Sequence, residues 1–112
     1  MPFTSAPWSS PESNLSPEAF CAVSLIDENP KGIAKAKGMC KLPVRSTPGG
    51  PYNVNAMRAA SQSLLGARAP LKAKPESKRS AARKLLRLIA EAGLTERFAT
   101  IVAGLRRLAG RR

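Results

Sequence analysis

The sequence predicts a small α+β domain, mainly α: a short β-hairpin, then two amphipathic helices, then a C-terminal helix. Three observations predict it. Two short extended runs between residues 20 and 45 flank a loop dense in Asp, Asn, Pro and Gly. From Val54 onward, apolar residues recur at helical spacing. The 112 residues leave room for one domain with a modest core. Only Phe3, Trp8, Phe20, Tyr52 and Phe98 are aromatic, so that core is aliphatic.

Residues 1–15 combine Pro, Ser, Glu and Asn with isolated Phe3 and Trp8, a composition that predicts a loose tail. Trp8 serves there either as a local anchor or as an aromatic for docking a partner. Ser16-Pro17-Glu18 is a helix-start signal, with a Ser cap, Pro in the first turn and an acid at the positive helix end. The helix is expected to be a short turn before a strand over Ala22–Asp27. Asp27 to Gly32 reads as a loop. In the second run, Cys40, Leu42 and Val44 alternate with Met39, Lys41, Pro43 and Arg45, giving one apolar face. Pro43 has no N–H for a ladder and marks an edge strand.

Ser46 to Pro51 breaks the chain, and Asn53 offers a cap for a helix over about 54–65. Its stripe is Val54, Met57, Ala60, Ser61 and Leu64, and Gly66 stops it. After a basic linker over 67–74, Pro75-Glu76 opens the strongest helix, about 75–92, stopped by Gly93. Ala82, Leu85, Leu86, Ile89 and Ala92 form its apolar stripe; Arg79, Arg83 and Arg87, with Lys84 beside them, lie opposite. Thr95 is expected to cap a last helix over 96–109 with a stripe of Phe98, Ile101, Val102, Leu105 and Leu108. Gly104 weakens that helix. The expected organisation is a tail over 1–15, a domain over 16–93 and an appended basic helix over 94–112.

Net charge is +12, and its distribution is lopsided. Residues 1–30 hold four acids and no base; residues 31–112 hold all 19 bases and three acids. That asymmetry points to an anionic partner (nucleic acid, a membrane surface or an acidic protein), against the plainer reading of a merely soluble surface. Lys78, Arg79, Arg83, Lys84, Arg87, Arg106, Arg107, Arg111 and Arg112 are the candidate contacts to duplex DNA or an acidic partner. The stripe of the last helix serves the core, a homo- or hetero-oligomer, or a membrane surface.

Several chemistries lack their residues. Histidine is absent, which removes the commonest general base and metal ligand. Two cysteines alone do not complete a tetrahedral zinc site, and Cys21 and Cys40 have no base partner for nucleophilic catalysis. Pro48-Gly49-Gly50-Pro51 is not followed by the Lys-Ser/Thr of a phosphate loop. The expectation is no enzyme, catalytic residue, metal, cofactor or small-molecule substrate. The N-terminus has no secretory-signal pattern, and no apolar run approaches the roughly 18 residues of a membrane span. The expected setting is the host cytoplasm or a virion, not secretion, with both cysteines as thiols in preference to a disulfide.

One ordered set of residues resembles a known family. It runs from Phe20-Cys21-Ala22-Val23-Ser24-Leu25-Ile26-Asp27 to Cys40-Lys41-Leu42-Pro43-Val44-Arg45 and Pro48-Gly49-Gly50-Pro51. Asn53-Val54-Asn55-Ala56-Met57-Arg58-Ala59-Ala60 and Lys78-Arg79-Ser80-Ala81-Ala82-Arg83-Lys84-Leu85 complete it. This order resembles a small domain of unknown activity carried by tailed-phage and prophage head-cassette proteins, including fusions to head-maturation proteases. The linker departs from that pattern, with Arg68-Ala69-Pro70-Leu71 where many relatives carry Gly-Gly. The resemblance implies a non-catalytic accessory or structural role in virion assembly and assigns no functional residue. The alternatives are a DNA-binding protein contacting phosphates without sequence preference, and an interaction or regulatory protein unrelated to phage.

Overall fold

Ser16 begins the ordered helices as its sequence context requires. Its Oγ accepts the Ala19 N–H at 3.2 Å, and Pro17 occupies the first turn of α1, Pro17–Val23. The computed structural model describes residues 3–66 and 71–110 and is α+β, mainly α. It divides into two compact units between Ala56 and Met57, where the sequence pattern placed one domain over 16–93.

In the first unit α1 is longer than the expected turn and takes in Ala22 and Val23, which had read as strand. Helical spacing accounts for this, because it turns Phe20 and Val23 into the core together, both almost fully buried. Strand β2, Ser24–Asp27, then pairs antiparallel with β3, Cys40–Pro43, with Ser24 opposite Pro43 and Ile26 opposite Lys41. The predicted apolar face is present, since Cys40, Leu42 and Val44 are all buried. Helix α1 packs against both strands. Leu42 holds a φ of 66°, a left-handed conformation uncommon outside glycine.

The expectation of a loose tail fails for residues 3–15. Strand β1, Phe3–Thr4, pairs in parallel with β4, Tyr52–Asn53, and the rings of Phe3 and Tyr52 lie 5.9 Å apart. A single turn of 3-10 helix follows over Glu12–Asn14. Backbone carbonyls of this segment are held by side chains far along the chain, which a composition-based reading does not see.

The second unit is helical. Helix α2, Val54–Leu64, crosses the division and starts as predicted: Asn53 Oδ1 accepts the Ala56 N–H at 3.0 Å. In its last turns Met57, Ala60, Ser61 and Leu64 are buried, and Ser61 donates to the Met57 carbonyl at 2.8 Å. Helix α3, Pro75–Glu91, buries Ala81, Ala82, Leu85, Leu88 and Ile89. The stripe is thus centred nearer Leu88 than expected, leaving Leu86 and Ala92 only half-buried. Gly66 and Gly93, with φ of 76° and 74°, follow α2 and α3 as left-handed stops.

Helix α4, Ala99–Ala109, begins three residues later than its sequence signals suggest. Thr95 does not cap it; residues 95–98 form a turn in which Phe98 is buried and Ala99 N–H reaches the Glu96 carbonyl at 3.2 Å. Nor is α4 an appendage, because it packs along α3 within the same unit. Gly104 is buried in that unit: a Cβ there would lie 2.9 Å from Leu65 Cδ1, so its missing side chain admits Leu65.

Candidate nucleic-acid interface

The division of the chain also divides its charge. Residues 1–56 carry five bases and four acids, a net of +1, whereas residues 57–112 carry fourteen bases and three acids, a net of +11. The basic character that begins after residue 30 in sequence therefore belongs in space to the helical unit. Hairpin lysines are largely engaged nearby: Lys35 pairs with Asp27, Lys37 Nζ donates to the Glu12 carbonyl at 2.6 Å, and Lys41 Nζ to the Gly38 carbonyl at 2.8 Å.

Helix α3 positions the core of the candidate interface. Its buried residues fix the helix against the unit, which leaves Arg79, Arg83, Lys84 and Arg87 exposed and Lys78 half-buried. Spacing by four residues puts Arg79, Arg83 and Arg87 in one row, successive members about 6 Å apart along the axis. Among the described residues, only Arg87 in this row has an acidic partner, Glu91 at 4.0 Å, and both are well exposed. Such a pair adds little stability and leaves the guanidinium available.

Arg106 and Arg107 are exposed in the last turn of α4, where positive charge complements the helix dipole. Arg111 and Arg112 lie outside the described residues. Of the apolar stripe expected to serve the core, an oligomer or a membrane surface, Phe98, Val102 and Leu105 are buried in the fold and Ile101 and Leu108 are half-buried. Among the described residues no helix is long and apolar enough to cross a membrane.

Two basic residues outside the predicted set meet at Phe98. Arg58 lies over the ring of Phe98, 5.0 Å from its centroid, and Arg97 joins it at an opening of about 330 Å³ also lined by Gln62, Phe98 and Thr100. Nothing local in sequence pairs Arg58 with Phe98; forty residues separate them, and only the packing of the unit brings them together.

A second cluster lies in the first unit. Cys21 and Cys40 form a disulfide, Cα atoms 5.3 Å apart, correcting the expectation of two thiols. The pairing follows from α1 and β3 packing together, which brings Cys21 of the helix and Cys40 of the strand to bonding distance. Asn29 Nδ2 lies 3.3 Å from Cys40 Sγ, 3.6 Å from Cys21 Sγ, 2.9 Å from Asp27 Oδ1 and 3.3 Å from the Ala36 carbonyl. Asp27 also accepts from the Asn29 N–H at 2.9 Å. Burial pushes the Asp27 carboxyl up, but bonds from Lys35 and from the backbone and side chain of Asn29 outweigh it and hold it below its ordinary value.

Comparison with known proteins places no relative beside this arrangement. No protein-family profile, curated protein or solved structure matches the chain.

Proposed function

We propose that the chain is a non-catalytic binding module whose helical unit holds duplex DNA by its phosphates, acting as an accessory or assembly component of a phage-type particle. The observation that carries the reading is the row of Arg79, Arg83 and Arg87 on a unit of net +11. A repeat of about 6 Å is comparable with the spacing of successive phosphates along a strand, so the row suits neighbouring phosphates. Release of condensed counterions then favours binding without base contacts. The scarcity of exposed aromatic side chains argues against stacking on single strands. An acidic partner protein is the competing ligand for the same charges.

The test is equilibrium binding of a labelled duplex of arbitrary sequence at several salt concentrations. The expected plot of log K against log salt is linear with a slope of about −3 to −5, and replacing all three arginines by glutamine should flatten it by about 3. Failure to retain any duplex at low salt, with retention of polyglutamate, transfers the surface to an acidic protein.

A further inference from the structure

The disulfide end of the first unit gathers more donor atoms than its redox chemistry needs. Cys21 Sγ, Cys40 Sγ and a carboxylate oxygen of Asp27 lie within 4.8 Å of one another. Four acceptors converge on the Asn29 amide nitrogen, which has only two hydrogens to offer them. Among the described residues, Lys35 brings the one cation paired with this cluster, on the second carboxylate oxygen of Asp27. The point is thus rich in electron pairs and poor in donors, which is the electrostatic description of a cation site.

We infer that reduction of the Cys21–Cys40 disulfide opens a metal site in which both cysteine sulfurs and the Asp27 carboxylate bind one zinc-class divalent ion. A dithiol supplies the two electrons: the S–S bond breaks, each sulfur takes a proton, and the dithiol leaves as its own disulfide. The ion then displaces both protons to solvent and binds two thiolates. Zn–S distances of about 2.3 Å place two thiolates about 3.8 Å apart in tetrahedral geometry, a small opening for residues whose Cα atoms are 5.3 Å apart. Two soft sulfurs with one carboxylate select zinc over magnesium or calcium. Both cysteines are buried, while Asp27 and Lys35 are partly exposed, so the ion reaches the site from the carboxylate side and replaces Lys35 as its counter-charge. Asn29 turns its amide out of the focus and donates to a thiolate from outside, the kind of support that tunes metal ligands. Three protein ligands leave a fourth position open.

The site lies apart from the basic helices and its test uses no DNA. The full chain is reduced with a dithiol, desalted without oxygen and titrated with Co²⁺ as a spectroscopic substitute for zinc. One equivalent should bind with sulfur-to-metal charge-transfer absorption and tetrahedral visible bands, and zinc should bleach both. Oxidised protein should show neither. Asp27→Asn, which retains both thiols, should bind at least about tenfold more weakly. Circular dichroism on each sample separates loss of the site from loss of the fold. Equal binding by oxidised and reduced protein overturns the inference, as does a folded Asp27→Asn variant that binds like the parent chain.

Discussion

Asn53 fastens the Ala6 carbonyl, 3.0 Å from its Nδ2, with the same side chain whose Oδ1 caps α2 at Ala56. The residue is 3% exposed, so neither bond has water as a ready substitute. Asn53→Asp keeps the acceptor and loses the donor; Asn53→Ala loses both. The alanine variant should lose about 2–3 kcal/mol in urea unfolding and the aspartate variant less. Equal losses would show that the cap at Ala56 contributes nothing, and an aspartate variant as stable as the parent that the hold on Ala6 contributes nothing.

The disulfide closes a loop between positions 19 residues apart. Chain entropy alone assigns it about 3 kcal/mol. Cys40→Ala, which also removes buried sulfur, should lower the unfolding free energy by at least that much, and a dithiol should lower the urea midpoint of the parent chain but not of the variant.

Asp27 gives the fold a defined acid sensitivity. Its carboxyl titrates below the ordinary value of 3.8, so the folded state prefers the charged form. The resulting stability is fully present above 3.8 and is lost as pH falls through the lower folded value. Asp27→Asn should therefore flatten the stability profile of oxidised protein on the acid side of pH 3.8 and leave its shape near neutrality unchanged.

Gly104→Ala sets helix propensity against a contact. Alanine favours α4 by about 1 kcal/mol, while its Cβ meets Leu65 Cδ1 at 2.9 Å. Leu65 is 40% exposed and free to turn away, so the expected result is a small net gain in thermal stability. Gly104→Leu should destabilise the unit, because one rotation of Leu65 does not make room for four carbons.

Leu85 is fully buried in α3, and Leu85→Ala should cost about 2–5 kcal/mol. The exposed substitutions Arg79→Gln and Arg83→Gln should change unfolding by less than about 0.5 kcal/mol. A larger effect from the arginines would mean that the basic row is structural.

Much of this architecture is legible one helical turn at a time. The Ser16 and Asn53 caps and the Gly66 and Gly93 stops act within three or four residues of themselves, and each is where its sequence context puts it. The alternation at Cys40, Leu42 and Val44 is equally local. What escaped the sequence depends on distant partners. Phe3 and Thr4 form a strand only because Tyr52 and Asn53 offer an edge, and Cys21 meets Cys40 only because α1 lies on β3. Thr95 carries a sound cap signal that loses to the burial of Phe98. The arginine row is readable from spacing alone, but the meeting of Arg58 and Arg97 at Phe98 is not, since no local pattern relates Phe98 to Arg58.

The position of the disulfide has a consequence for a chain that has been cut. Lys31 and Lys35 sit in the exposed connection between β2 and β3, inside the loop that Cys21 and Cys40 close. A protease that nicks after Lys31 produces two peptides that remain one molecule, riveted across the wound. On a denaturing gel the nicked protein should run as a single band until a reductant is added, and then as two.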